Sequence, residues 1–179
     1  MMHSLHKRIS KLIDNTFKAC PTIKIVKDPD CNWNDEKELQ RIPLFCSNDK
    51  SRYTRYCCVD LLILKNGKVR GIIEIEESNI KPTQVCGKFL TSAMSKCYIH
   101  KNDGGVVDIA ESAFFIHVLD SSKLRGKSVK SKQFDNLEKS IKGIIPLNGS
   151  RIKNYRLLYI KHGDSFNKMV DFIKAELKD

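Results

Sequence analysis

The chain has 179 residues, of which 41% are hydrophobic, and it carries a formal net charge of +11 at pH 7. This length suits one domain that buries its own core, so we expect residues 1–179 to form a single domain. No apolar run approaches the roughly 18 to 20 residues that a transmembrane helix needs. We therefore expect a soluble protein that does not enter a membrane.

The cysteines predict free thiols and not a disulfide framework. There are seven of them, an odd number, and Cys57 and Cys58 are adjacent. None of the spacings forms a CxxC pair and the five histidines are scattered, so a structural zinc site has little support. The N-terminus lacks the apolar region and cleavage site of a secretion signal. These features predict a reducing, cytoplasmic location.

The first fifty residues alternate between regular and irregular patterns. Apolar residues at helical spacing predict an amphipathic helix over 3–19, which Pro21 ends, and alternation predicts a strand over 22–27. Residues 28–50 are polar and contain two prolines. We expect them to form a long surface excursion with a helical turn at 35–41. Loops of this length are often functional, so this excursion is a candidate recognition element.

Residues 51–56 place arginines and tyrosines alternately along the chain. This pattern suits a strand whose exposed face contacts phosphates or stacks on bases, with Arg52 and Arg55 as candidate nucleic-acid contacts. An edge strand with solvated arginines is an equally good interpretation.

A hairpin is predicted over residues 60–76. Two β-rich runs flank Asn66-Gly67, the pair that a tight type I′ turn prefers. Glu74 and Glu76 lie two residues apart in the second run, so both side chains should lie on one face of the strand. Asp60 opens the first run. We expect its carboxylate to lie beside the two glutamates, at one end of a buried sheet.

The second half of the chain predicts a βαβ crossover. A helix is expected over 81–98, with Gln84 and Lys88 four residues apart on one face. The continuous apolar run 112–120 predicts a central strand in a parallel arrangement. If the helix covers the carboxylates, Lys88 is the cation nearest to them. The pattern as a whole predicts an α/β protein with a mixed sheet.

A basic loop over 121–132 is predicted to precede a helix whose inner side includes Phe134 and Ile144, and a strand over 155–161 and a helix over 165–177 follow. Basic residues are concentrated in this region, and a net positive charge favours polyanionic partners. A basic solvated surface is the plain alternative. The candidate nucleic-acid contacts in the loop are Lys123, Arg125, Lys127 and Lys130.

The clustered carboxylates need a neutralising cation. Bringing carboxylates within a few ångströms of one another raises at least one pKa unless a positive charge is present. Mg²⁺ prefers oxygen ligands and keeps some positions for water or phosphate, and a bound metal can activate water for attack on a phosphodiester. A basic surface would hold the rest of a nucleic acid. Together these features predict a nuclease.

Asp60, followed after a hairpin by Glu74-Ile75-Glu76, resembles the motif of the PD-(D/E)XK nuclease superfamily, the restriction-endonuclease-like fold. The resemblance covers about residues 3–120. It implies an αβββαβ core, here with an extra C-terminal strand and helix. It also implies phosphodiester hydrolysis that depends on Mg²⁺, or on Mn²⁺ in its place, with Asp60, Glu74 and Glu76 as metal ligands.

The sequence departs from the motif at Glu76, which stands where the superfamily usually has lysine. Glu76 is then a third ligand or the base that deprotonates water. Alternatively the lysine has moved to the following helix, where Lys88 or Lys81 supplies it. A frame shifted by two residues, with Glu76 as the ligand and Ser78 in the lysine position, is also open.

The resulting prediction is an endonuclease that acts on DNA, with Asp60, Glu74, Glu76 and Lys88 as the catalytic set. Gln84 and Lys81 are candidate contacts to the nucleic acid. A homodimer is expected, because cleavage of both strands by this fold usually needs two sites. The alternative is a non-catalytic nucleic-acid-binding or complex-assembly protein on the same fold. In the plainest interpretation the glutamates end a strand at the solvent and pair with lysines.

Overall fold

The structure, a computed structural model, describes residues 4–34, 36, 39–78, 80–100, 105–123, 127–161 and 166–178. Within these residues the helices are α1 (Ser4–Phe17), α2 (Pro82–Met94), α3 (Lys127–Ile144) and α4 (Asn167–Glu176). The strands are β1 (Ile23–Lys27), β2 (Ile42–Phe45), β3 (Arg55–Val59), β4 (Leu61–Lys65), β5 (Lys68–Glu76), β6 (Cys97–Ile99), β7 (Val106–Asp120) and β8 (Ile152–Ile160). Short 3₁₀ turns follow β1 and β7.

All eight strands belong to one mixed sheet. Its order is β1-β4-β5-β7-β6-β2-β3, and β8 also pairs with β7, which lies between β5 and β8. β7 runs parallel to β5 and β8, whereas the other pairs are antiparallel. The predicted central parallel strand and its βαβ crossover through α2 are confirmed. The predicted α/β class with a mixed sheet is confirmed as well.

Helices cover both faces of the sheet. One apolar cluster joins α2 and α3 to the sheet through Phe89, Phe134 and Phe115. The other joins α1 and α4 to the opposite face through Ile9 and Ile173. β5 contributes to both clusters because its side chains alternate between the two faces. A strand buried on both faces has little room for charged side chains, which makes its two glutamates conspicuous.

The hairpin of β4 and β5 forms around the predicted turn. Asn66 and Gly67 both have positive φ, 52° and 75°, as a type I′ turn requires. Asp60 lies just before this hairpin, at a bend between β3 and β4. Because β3 and β4 pair with different partners, the chain must turn at Asp60. The bend therefore fixes the position of the Asp60 side chain against β5.

The expectation of a surface excursion over 28–50 is wrong for part of the segment. Residues 42–45 form β2, which lies between β3 and β6, and Ile42 and Leu44 are fully buried. The strand expected over 51–56 also begins late, since β3 starts at Arg55. Of the helical turn expected at 35–41, residues 35, 37 and 38 lie outside the described residues.

Three boundaries in the second half differ from the predictions. The helix expected over 81–98 ends at Met94, β6 follows it, and Met94 is 54% exposed. β7 begins at Val106, earlier than the apolar run suggests. α3 begins at Lys127, so half of the expected basic loop is helical, and Ile144 is 49% exposed where an inward side chain was predicted.

Two expectations from composition are met in part. All seven cysteines are free thiols, as predicted. Among the described residues no helix combines the length and the apolar character needed to cross a bilayer.

Two glycines make a matched pair for testing the packing of the sheet. A Cβ added at Gly71 of β5 would overlap the ring of Phe114, whereas one added at Gly87 of α2 would meet no atom within 4 Å. Gly71→Ala is expected to lower the free energy of unfolding by roughly 1–3 kcal/mol through overpacking. Gly87→Ala should raise it by about 0.5–1 kcal/mol, because alanine favours a helix interior.

Urea unfolding of the two variants and of the wild-type chain measures both changes in the free energy of unfolding. If Gly71→Ala unfolds like the wild type, the close approach of β5 to Phe114 is wrong. Gly87→Ala is the control, since both variants add the same methyl group.

Candidate functional site: a buried carboxylate cluster beneath α2

The second half of β5 carries two buried carboxylates toward α2. Glu74 is fully buried and Glu76 is 5% exposed. The intervening Ile75 and the preceding Ile73 belong to the apolar cluster on the opposite face. The period of the strand thus places both glutamates on one side, as the sequence predicts.

Lys88 of α2 lies between the two glutamates. Its Nζ donates to Glu74 Oε2 at 2.7 Å and lies 2.8 Å from Glu76 Oε1. Gln84, one turn earlier on the same face, donates from Nε2 to Glu76 Oε2 at 2.8 Å. The Lys88 side chain is 30% exposed, whereas that of Glu74 is 1% exposed. The lysine therefore connects a buried carboxylate to the protein surface.

Asp60 reaches the cluster from the bend before β4. Its Oδ2 accepts a hydrogen bond of 2.7 Å from the backbone N–H of Ile75, between the two glutamates. His6 of α1 lies on its other side, with Nε2 3.5 Å from the same oxygen. The three predicted carboxylates and Lys88 are therefore gathered at one end of β5.

His117 adds an imidazole to the cluster from β7. It is fully buried, pairs with Glu74 in the parallel register of β5 and β7, and its Nε2 lies 3.4 Å from Glu76 Oε1. Its Nδ1 is buried and has no hydrogen-bond partner among the described residues. Burial lowers the pKa of His117, so the ring is neutral at pH 7.

The two glutamates differ in their ionisation. Burial and then the charge of Asp60 raise the pKa of Glu74 well above its ordinary value, although Lys88 opposes the shift. Burial acts in the same direction on Glu76, but the hydrogen bond from His117 and the charge of Lys88 outweigh it and lower its pKa. The pKa of Lys88 is raised: burial opposes this, and the charges of Glu74, Asp60 and Glu76 prevail. The carboxylates around Lys88 therefore hold it in its charged form.

Glu74 leaves one polar atom without a partner. Its Oε2 contacts Lys88, but its Oε1 is buried and has no hydrogen-bond partner within the described part of the chain. Such an oxygen is costly unless it meets a cation or a donor. Glu74 Oε1 is thus an oxygen of the type that a hard cation binds.

A three-residue metal group is not present in the side chains as they are placed. Among the described residues no three or more histidines, cysteines or carboxylates are arranged to hold a metal ion. Mg²⁺, however, is usually bound through one or two carboxylates and keeps several waters. Glu74 Oε1, which has no hydrogen-bond partner among the described residues, is the oxygen of the cluster that could meet such an ion.

Sequence reasoning missed four residues around the cluster. Asp28 follows β1, donates from its backbone N–H to the carbonyl of Asp60 at 3.0 Å, and has a pKa raised to about 6 by burial and by the charge of Asp60. Glu77 accepts from the backbone N–H of Leu5 at 2.6 Å and lies 3.0 Å from His6 Nδ1. His6 and His117 complete the set. Asp28 is brought beside Asp60 by the register of β1 and β4, which pairs Lys27 with Leu61.

The predicted nucleic-acid contacts are spread over several places. Gln84 lies in the cluster, while Lys81 is exposed at the start of α2. Arg52 and Arg55 are exposed around the start of β3. Arg125 lies outside the described residues. Lys123 ends a 3₁₀ turn, and both Lys127 and Lys130 belong to α3.

Fold and site together define the class of this chain: an α/β protein with a mixed eight-stranded sheet and a buried carboxylate cluster bridged by a lysine. Compared with protein-family models, curated proteins and solved structures, the chain matches none of them.

Proposed function

We propose that the chain is a metal-dependent endonuclease that hydrolyses the phosphodiester bonds of DNA. The observation that carries the proposal is the buried carboxyl group of Glu74 at the end of β5 that also holds Asp60. Among the described residues, Glu74 Oε1 has no hydrogen-bond partner. In a structural ion pair, the buried oxygens usually all have hydrogen-bond partners. An oxygen without a partner therefore supports a ligand site.

Asp60 and Glu74 would hold Mg²⁺, or Mn²⁺ in its place, with Glu76 as a third ligand. The ion would polarise the phosphodiester and lower the pKa of a bound water. The chain's own residues supply orientation and charge. The Ile75 N–H fixes the Asp60 carboxylate, and Gln84 and His117 hold Glu76.

Lys88 takes the role of the lysine that the strand lacks. Its ammonium group lies against both glutamates, and its partial exposure lets it reach a phosphate at the surface. There it would stabilise the negative charge that develops on the phosphate oxygens as water adds and the leaving oxygen departs. This geometry favours Lys88 over Lys81, which is exposed at the first turn of α2.

The order of elements supports the same proposal. If β2, β3 and β6 are set aside as additions, the chain reads α1, β1, β4, β5, α2, β7. In this series β1, β4 and β5 form an antiparallel meander and β7 is parallel to β5. The αβββαβ arrangement expected from the PD-(D/E)XK resemblance has this order, with β8 and α4 as the C-terminal additions.

A non-catalytic nucleic-acid-binding protein on the same fold is the second candidate. The observation that favours it is the closed ion-pair network, in which Lys88 occupies an oxygen of each glutamate. If Lys88 never leaves the glutamates, the cluster only stabilises the fold, and the basic surface alone binds nucleic acid. The homodimer expected for double-strand cleavage stays a prediction under the first candidate only.

Incubation of the purified chain with supercoiled plasmid tests the proposal, with Mg²⁺ or EDTA and with Asp60→Ala as the inactive control. The expected result is nicked and linear DNA only for wild type with Mg²⁺, and a parallel assay on RNA defines the substrate. Equal cleavage by wild type and Asp60→Ala would reject the assignment. No cleavage by either, with binding intact, would favour the second candidate.

A further inference from the structure

A basic pocket lies between the start of β3 and the segment before β2. It has a volume of about 560 Å³, within the range of roughly 300 to 1,000 Å³ typical of small-molecule sites. Among the described residues its lining includes no carboxylate, and its cations are Arg41, Lys50, Arg52 and Arg55. Pro43 and Phe45 contribute apolar surface.

The arginines of this pocket are available for an anion. Within the described residues, no ion pair joins Arg41, Arg52 or Arg55 to an acidic side chain, and all three are exposed. Guanidinium groups bind phosphate through two parallel hydrogen bonds, which makes arginine the preferred residue for this task. The electrostatic character of the pocket therefore matches a phosphate-bearing ligand.

A β-bulge directs Arg55 into the pocket. β2 pairs Pro43 with Cys58, and after a register shift it pairs Phe45 with Arg55. Without the extra residue, Arg55 and Cys58 would lie on opposite faces, since they are three positions apart. The bulge brings them to one face, and such re-aiming of a side chain is a frequent use of bulges beside active sites.

The pocket adjoins the carboxylate cluster. Cys58 lines the pocket, and Asp60 follows it by two residues, at the bend after β3. Two residues of extended chain span at most roughly 7 Å, so this wall of the pocket lies close to Asp60. A strand with a phosphate at the cluster could place a neighbouring nucleotide in the pocket.

We propose that this pocket binds one unpaired nucleotide of the strand that the carboxylate cluster cleaves, with its phosphate on Arg52 and Arg55 and its base against Pro43 and Phe45. The inference rests on the proposed function for the identity of the ligand.

Fluorescence anisotropy with a labelled single-stranded 12-mer DNA tests the pocket in EDTA, where binding is measured without metal or cleavage. Arg52→Ala/Arg55→Ala is expected to weaken binding about tenfold or more, as loss of charged hydrogen bonds does. The salt slope should fall by about 0.7, since one single-strand phosphate contact is lost and each contributes roughly 0.7. The control, Lys168→Ala/Lys174→Ala, removes two exposed lysines of α4 and should change the affinity little.

A second probe, a 12-mer of abasic residues with the same phosphates, separates base from backbone. Wild type should bind the abasic strand several-fold more weakly than the normal 12-mer, and the arginine variant should lose most of that difference. Equal losses in the arginine and lysine variants would mean general surface attraction and overturn the pocket. Equal affinity of wild type for both strands would overturn the base contact. Either result leaves the plasmid assay of the cluster unaffected, so the two proposals fail separately.

Discussion

Glu74→Gln is expected to abolish metal-dependent cleavage and, in EDTA, to stabilise the fold. The substitution keeps the shape of the side chain but removes a ligand charge. Since a metal contributes several kcal/mol of transition-state stabilisation, loss of its ligand should lower the cleavage rate by roughly a thousandfold. The plasmid assay at saturating Mg²⁺ measures this effect.

The stability of the same variant follows from the raised pKa of Glu74. Burial and the charge of Asp60 hold that pKa above its ordinary value of 4.5, so the folded chain binds a proton that the unfolded chain has released. The free energy of unfolding therefore falls as the pH rises from 4.5 through the folded-state pKa. Glutamine removes this pH-dependent loss, and it should raise stability by roughly 1–2 kcal/mol at pH 8.

Lost cleavage activity together with increased stability in Glu74→Gln distinguishes a ligand site from a structural ion pair. If Glu74 is mainly structural, Glu74→Gln should lower stability and leave the activity close to wild type. Glu111→Gln is the matched control, because Glu111 is a glutamate with an 82% exposed side chain whose partner is Arg151. It should change neither quantity, as surface ion pairs contribute about 0–1 kcal/mol.

Lys88→Met is expected to impair both activity and stability. The variant leaves Glu74 and Glu76 beneath α2 without their shared cation. Breaking a buried pair costs about 3–5 kcal/mol, and the partial exposure of Lys88 reduces this to roughly 2–3 kcal/mol at pH 8. The loss should shrink at pH 5, where protonation relieves the carboxylates. Cleavage should fall at least about a hundredfold, because a charge-stabilising group is lost.

Mg²⁺ should rescue the stability of Lys88→Met. The added ion replaces the missing positive charge, so the melting temperature of the variant should rise more with Mg²⁺ than that of wild type. Lys81→Met is the control from the start of the same helix, and it should match wild type in stability and activity. An effect of Lys81→Met on cleavage as large as that of Lys88→Met would contradict the assignment of Lys88. Absence of a Mg²⁺ effect on Lys88→Met would mean that the cluster binds no ion.

The parts of the fold that the sequence predicted have short-range signals. Asn66-Gly67 specifies its own turn, and the alternation in β5 fixes which face carries Glu74 and Glu76. The spacing of Gln84 and Lys88 then follows from the helical period. Only the packing of α2 onto that face had to be guessed. This explains why the carboxylates and Lys88 could be predicted, whereas the residues that other elements pack around them could not.

The segments that were misread depend on long-range pairing. β2 contains Pro43 and has few neighbouring apolar residues, so its pattern resembles a loop until β3 and β6 are beside it. β6 has three residues, too few to show a period, and it was absorbed into the helix prediction. Tertiary pairing stabilises both strands and overrides the local propensity on which the predictions relied.

The missed site residues come from distant parts of the chain. His6 lies on the first helix and His117 in an apolar strand, where a histidine usually indicates ordinary packing. Asp28 reaches Asp60 only through the pairing of β1 with β4. Contacts of this kind have no sequence spacing to reveal them, because separate elements supply the partners.

The most direct test of the metal site is a crystal structure of the chain with Mn²⁺, using anomalous scattering to locate the ion. We expect an anomalous peak within coordination distance, about 2.1 Å, of Glu74 Oε1 and an Asp60 carboxylate oxygen, with Lys88 shifted from Glu74. A fully occupied Lys88–Glu74 ion pair and no peak at the cluster at millimolar Mn²⁺ would contradict the claim that these carboxylates form a metal site.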